Sequence, residues 1–165
     1  MKRTAQKGFT LVEILIVVII LGILAAIVIP QFTEASAEAR VSSVMTNLQT
    51  IRSQLLLYKV QHLEVYPGST TDADLFGEQM TQYTDVSGTV NATPNASFPF
   101  GPYLQSVPAN PLSGSGVVAV VNNAATVFAA PAADAGWWFN MATGEFRANL
   151  TDARVTSDGT PLNQL

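Results

Sequence analysis

The sequence predicts an α+β protein: a long amino-terminal helix, membrane-spanning in its first half and amphipathic in its second, packed against a small head built on an antiparallel β-sheet. Three observations carry this. From Phe9 to Ile29 there are 21 residues in which Thr10 and Glu13 are the only polar side chains. From Val41 to Val65 apolar or aromatic residues recur in a 3-4-3-4 rhythm. After residue 116 short β-branched and aromatic runs alternate with turn residues.

The first run is long enough to cross a bilayer, since about 1.5 Å of rise per residue over such a length matches the roughly 30 Å hydrocarbon core. Before it lie Met1 to Gly8, with Lys2, Arg3 and Lys7 and no acid. Positive charge keeps that end cytoplasmic and places everything after Pro30 on the far side. A secretory signal peptide has a shorter apolar region that ends in a small-residue cleavage site. Here the small residue, Gly8, stands in front of the apolar run, so a cut beside it would remove the basic leader and keep the helix.

The residues Lys7-Gly8-Phe9-Thr10-Leu11-Val12-Glu13, with Gly22 and Pro30 at their spacing, resemble the class III signal of type IV pilins and type II secretion pseudopilins. The resemblance implies that a membrane-embedded prepilin peptidase cuts between Gly8 and Phe9 and methylates the new amino terminus on Phe9. It also implies that Glu13 of an incoming subunit pairs with the amino terminus of its neighbour in a homo-oligomeric filament. Physical reasoning alone marks Glu13, because a carboxylate inside a bilayer costs about 2.5–3.5 kcal/mol on insertion scales and needs a partner. Two partners stand open at this point: an amine of another subunit, or the Phe9 amine of the same chain one turn away. Gly22 and Pro30 are the expected points of helix flexibility, since Pro30 offers no N–H to the Ala26 carbonyl.

After Pro30 the stripe Val41, Val44, Leu48, Ile51, Leu55, Tyr58, His62 and Val65 continues one helix to about Val65, with Glu34, Glu38, Arg40, Arg52, Lys59 and Glu64 placed off it. A head packed on this stripe and a coiled-coil seam are the two ways to cover it. His62, the one histidine, reads as a packing residue on the stripe rather than a base or ligand. Tyr66-Pro67-Gly68 ends the helix. The organisation is therefore 1–8 leader, 9–30 transmembrane and assembly helix, 31–66 amphipathic half, and 67–165 head.

In the head, Thr71 or Asp72 is placed to cap a short helix through Tyr83. Two hairpins are expected. The first joins Gly116–Val121 to Thr126–Phe128 across Asn122-Asn123; the second joins 136–140 to 145–150 across Met141-Ala142-Thr143-Gly144. Alternation puts Trp137 and Phe139 on the packed face and Trp138 on the other, as a subunit contact or under a loop. Tyr58, Tyr66-Pro67 and the segment Gly101 to Pro111 resemble the major, G-type pseudopilin.

Composition excludes several functions. There are no cysteines, hence no disulfides or thiolate metal sites. The net charge of −4 becomes −7 once the three leader cations are gone, leaving five basic side chains against twelve acidic ones. No nucleic acid is expected to bind. No phosphate loop, catalytic triad or His/Glu metal cluster is present, so an enzyme is not expected and no cofactor is required. Calcium is a weak candidate on Asp152 and Asp158, with Asp72 and Asp74 offering the same oxygen chemistry.

The expected role is a filament subunit like a type II secretion pseudopilin, held in bacterial inner-membrane lipid with its head exported to the periplasm or cell surface. Its expected partners are the peptidase and an inner-membrane assembly platform with its ATPase. The alternatives are the pilin of a type IV pilus serving adhesion, motility or DNA uptake, and, in another class, a membrane-anchored binding protein.

Overall fold

The computed structural model describes residues 8–68, 70, 72, 74–126, 128, 134–150 and 159–161. The element order is α1 (Leu11–Gln61), α2 (Leu75–Thr81), β1 (Tyr83–Thr84), β2 (Val90–Asn91), β3 (Val118–Val121), β4 (Trp137–Asn140) and β5 (Glu145–Ala148). The chain forms two compact units, residues 1–39 and 40–165. In the first, the apolar side chains of α1 are exposed. In the second, Val44, Leu48, Ile51, Leu55, Tyr58 and His62 are buried, so the head, not a coiled coil, covers the stripe.

α1 ends at Gln61, short of the expected Val65. His62 to Glu64 form a turn in which the Glu64 N–H reaches back to the Lys59 carbonyl (3.0 Å). Leu63 and Glu64 have positive φ, 54° and 64°. This is the left-handed closure that helices use to satisfy their last carbonyls, made without the usual glycine.

The sheet corrects the expected topology. β4 and β5 form the predicted antiparallel hairpin, but β3 pairs parallel to β4, with Val118 opposite Trp137 and Val121 opposite Asn140. The order β3-β4-β5 is thus a mixed sheet, not an antiparallel one. No strand forms at Thr126 or Phe128; Val127, between them, is outside the described residues. The physical reason lies in the Asn122-Asn123 turn. Asn123 accepts the Ala125 N–H on Oδ1 (2.9 Å), and its carbonyl accepts both the Thr126 N–H (2.9 Å) and the Asn140 side-chain amide (2.9 Å). That ties the turn to the end of β4 instead of folding it back on β3. The fifteen residues of connection, 122–136, then suffice for a parallel crossover. A central β4 also buries the most aromatic strand on both faces: Trp137, Trp138, Phe139 and Asn140 are all buried. Trp138, the candidate exposed contact, is covered, with Phe128 edge-on at 5.5 Å.

The core joins the α1 stripe to Phe76 and Met80 of α2 and to Trp137, Phe139 and Phe146 of the sheet. α2 is shorter than expected and Asp74, not Thr71 or Asp72, precedes it, without a side-chain cap. Buried polar side chains hold the loops by serving backbone groups. Asn110 donates to the Gly136 carbonyl (2.8 Å) and accepts the Leu112 N–H (2.9 Å). Gln79 donates to the Gly88 carbonyl (2.7 Å) and accepts the Gly68 N–H (2.7 Å). At Gly136 the backbone passes so close to Ser115 that a Cβ would lie 1.9 Å from its carbonyl oxygen.

Arg52 closes one edge of the sheet. Asn149 donates to the Gly136 carbonyl (3.0 Å), so the hydrogen-bonded pairs of the β4/β5 ladder fall at 136/149, 138/147 and 140/145. Phe146 therefore turns its carbonyl away from β4. Arg52, from α1, donates to that carbonyl through Nε (3.1 Å) and Nη2 (2.6 Å). An edge carbonyl so occupied no longer invites another strand. Arg52→Ala is expected to destabilise the 40–165 unit by about 1.5–3 kcal/mol, the range for hydrogen bonds to a charged group, with a smaller loss for Arg52→Lys. Urea unfolding of the detergent-solubilised chain, followed by tryptophan fluorescence, checks this; an unchanged midpoint for Arg52→Ala would refute it.

Candidate functional site

The candidate residues cluster at the start of α1. Gly8, Phe9 and Thr10 precede the helix and are exposed, Phe9 to 84%. The peptide bond between Gly8 and Phe9 therefore sits in non-helical backbone. Helix begins at Leu11 because Thr10 and Glu13 cap it reciprocally. The Thr10 N–H and the Thr10 hydroxyl both donate to Glu13 Oε2 (2.8 Å each), and the Glu13 N–H donates to Thr10 Oγ1 (3.2 Å). The Ile14 N–H then makes the first bond back to the Thr10 carbonyl (3.3 Å).

This is a capping box, and it assigns a role the sequence analysis missed: Thr10 holds Glu13. The signal was present, since Thr-x-x-Glu ahead of an apolar run is the pattern of a helix start. The intramembrane reading of Glu13 had drawn attention to charge instead. The two hydroxyl and amide donors satisfy one carboxylate oxygen without supplying a countercharge.

Beyond Glu13, Ile14 to Ile29 are apolar and exposed around the whole helix. α1 is long and apolar enough to cross a membrane by length and composition. It passes Gly22 and Pro30 without interruption; an added Cβ at Gly22 would meet nothing within 4 Å, and Pro30 leaves its carbonyl to the Thr33 hydroxyl (2.8 Å). No basic residue occurs in the sequence between Glu13 and Arg40.

The remaining candidates do not converge on chemistry. His62 is buried and packs as expected: Nδ1 donates to the Tyr58 carbonyl (2.8 Å), Nε2 meets the Thr84 hydroxyl (2.9 Å), and the ring stacks on Tyr58 at 3.7 Å. The Tyr103 hydroxyl donates to Gln61 (2.6 Å), and the Tyr103 and Leu104 N–H groups both donate to the Met80 carbonyl, so the Gly101–Pro111 segment is tied to α1 and α2. An open cleft of about 380 Å³ lies beside α2 and β3, lined by Phe76, Val107 and Val118 with Asp74 at its rim. Among the described residues no three His, Cys, Asp or Glu side chains are placed to hold a metal. Asp152 and Asp158, the calcium candidates, lie outside the described residues.

Comparison with known proteins bears on the same end of the chain. Residues 3–29 match the prokaryotic N-terminal methylation motif. The chain is 42% identical over 69 residues to the type II secretion system core protein G of Pseudomonas aeruginosa, covering 42% of this chain and 48% of that protein. It is 35% identical over 102 residues to the type IV major pilin protein PilE1 of Neisseria gonorrhoeae, covering 58% and 56%. It is 49% identical over 53 residues to the type IV major fimbrial protein FimA of Dichelobacter nodosus, covering 32% and 34%. These matches span about half the length of such relatives, or less. No solved structure matches the chain. The relatives' names are those of pilus and secretion-system components, not of enzymes, and the family model adds the methylation motif at the same chain's amino end.

The capping box generates a test of its own. Thr10→Ala should loosen the start of α1 by about 1 kcal/mol, read as roughly fivefold faster amide exchange at residues 11–14 in detergent micelles. Thr10→Ser should stay near the native rates. Equal exchange in native chain and Thr10→Ala would show that the box does not set the helix start.

Proposed function

We propose that this chain is a filament subunit of the pseudopilin kind, processed by a prepilin peptidase between Gly8 and Phe9, methylated on Phe9, and assembled from the bacterial inner membrane. The observation that carries the proposal is an acid at the head of an apolar helix, hydrogen-bonded by Thr10 alone, within reach of the amine that processing would create. Glu13 lies at the head of an apolar helix, with no basic residue between it and Arg40 and, once the leader is removed, none before it. Thr10 hydrogen-bonds its carboxylate but leaves the charge in place. A carboxylate carried into lipid needs a cation. The cut after Gly8 would create a free amine at Phe9, in backbone that already lies outside the helix. In a filament the amine of one subunit would meet Glu13 of the next.

The orientation follows from the positive-inside preference: Lys2, Arg3 and Lys7 keep the leader cytoplasmic and the head is exported. The matched methylation motif and the secretion-system and pilin relatives support this reading. An assembly platform and its ATPase would supply the work of polymerisation, as the sequence offers no nucleotide-binding loop. The second reading, the pilin of a type IV pilus, is favoured by one observation: the matches to major pilins run over as many as 102 residues, against 69 for the secretion core protein.

Two measurements test the proposal. The intact mass and amino-terminal sequence of the membrane-extracted protein should give a mature chain beginning with methylated Phe9, and any other start would overturn the processing step. Glu13→Ala should be cleaved and inserted normally yet reach sheared filaments poorly, because a neighbour's amine is left unpaired in lipid. Filaments formed by Glu13→Ala at native yield would remove the assembly role from Glu13.

A further inference from the structure

The three-stranded sheet has two edges, and only one of them is closed. Arg52 occupies the edge of β5 through the Phe146 carbonyl. In the parallel ladder the Trp137 N–H donates to the Val117 carbonyl and the Met141 N–H to the Val121 carbonyl, so with Val118 opposite Trp137 it is Ala119 and Val121 that turn their backbone groups to β4. Val118 and Val120 turn theirs outward. Among the described residues no hydrogen bond reaches those N–H and carbonyl groups. β3 has neither charge nor proline nor bulge to blunt this edge.

Beside the open edge lies a place for a side chain. The cleft of about 380 Å³ between α2 and β3 is lined by Phe76, Val107, Val117 and Val118, with Asp74 at its rim. A strand edge flanked by a helix, with an apolar cleft between them, suits an extended peptide: main-chain hydrogen bonds give affinity and alternate side chains entering the cleft give selectivity. Charge selects the occupant. Asp74 and Asp72 are both exposed, Asp72 accepts the Asp74 N–H on Oδ1 (3.1 Å), and among the described residues neither carboxylate is paired with a lysine or arginine. Side chains two residues apart in a strand share a face at about 7 Å. A peptide with an apolar residue in the cleft therefore brings the residue two positions away towards the acidic rim, where a cation is favoured. A second copy of this chain fits poorly. It is net negative by four, and by seven without its leader. Its described head cations are also engaged, Arg40 and Arg52 on carbonyls of Pro111 and Phe146, Lys59 and Arg147 on Glu64 and Glu145.

We propose that the β3 edge and the cleft beside α2 bind an extended segment of another polypeptide, one in which an apolar residue stands two positions from a lysine or arginine. The site lies within the 40–165 unit and depends on neither processing nor polymerisation, so its failure would leave the filament reading as it stands. The test is fluorescence polarisation of a labelled peptide, Lys-Thr-Leu-Thr-Lys, with the full-length chain in neutral detergent; the symmetric pattern serves either strand direction. Saturable binding is expected, with Glu-Thr-Leu-Thr-Glu about tenfold weaker. Asp74→Lys should weaken the lysine peptide about fivefold, and the peptide pair reads the same charge without altering the protein. Backbone N-methylation separates edge pairing from charge alone. Because successive N–H groups of a strand point to opposite sides, methylating the leucine nitrogen or both threonine nitrogens should cost at least tenfold in one peptide and little in the other. No saturable binding, equal binding of the glutamate peptide, or the same response to both methylation patterns overturns the proposal. So does conversion of dimers of this chain to monomers by saturating peptide, measured by sedimentation, since the edge would then belong to a second copy.

Discussion

The constraint on which the rest depends is that α1 serves two environments with one backbone. Its first part is apolar on every side and buries none of it within the chain, while its second part buries only the row from Val44 to His62. A helix apolar all round needs lipid or other helices; a helix with one apolar row needs a sheet or bundle. The head supplies the sheet, and Trp137, Phe139 and Phe146 meet the row. Each side chain of this size contributes about 1.5–3 kcal/mol on burial, so the packed half of α1 is held by tertiary contact, not by helix propensity. The apolar half has no such support from its own chain.

Most of the head is loop, and polar side chains organise it. Asn110, Gln79 and Asn140 are buried amides that donate to backbone carbonyls 26, 9 and 17 residues away in sequence. An amide that loses such a partner in the interior costs about 1–3 kcal/mol, so each fixes where its loop passes. With no cysteines available, these amides do the fastening that a disulfide would otherwise do. The same logic governs Arg52, which ties α1 to the far edge of the sheet through the Phe146 carbonyl.

At the other end, the Thr10–Glu13 pair gives a candidate functional acid a structural duty. Capping fixes where the helix begins and leaves the Gly8–Phe9 bond outside it. The carboxylate is hydrogen-bonded by Thr10 and has no countercharge among the described residues. The candidate residues form a sequence-local motif, and the methylation-motif match lies over the same stretch, residues 3–29.

The sequence by itself determined much of what depends on near neighbours, though not the start of α2 or the short β1/β2 pair. The span follows from an uninterrupted apolar run, the candidate cut from Gly8 standing before it, the buried face of α1 from its 3-4 spacing, and the β4/β5 hairpin from Gly144 in a short turn. These are local periodicities, and local periodicity survives folding. Thr10 was also legible, as Thr-x-x-Glu, but was overlooked beside the charge of Glu13. What only the tertiary structure decided was pairing at a distance. β3 has the composition of a hairpin strand, and nothing in Gly116–Val121 says that its partner is β4 in parallel. That choice came from Asn140 drawing the Asn123 turn to the end of β4, and from burying Trp138 with its whole strand. The early stop of α1 is tertiary as well. His62 keeps its place in the apolar row by bonding Tyr58 and Thr84, and the backbone leaves the helix at Leu63 through a left-handed turn that no glycine announces. Side-chain partners many residues away are set by the packed core, and a periodic pattern carries no record of them.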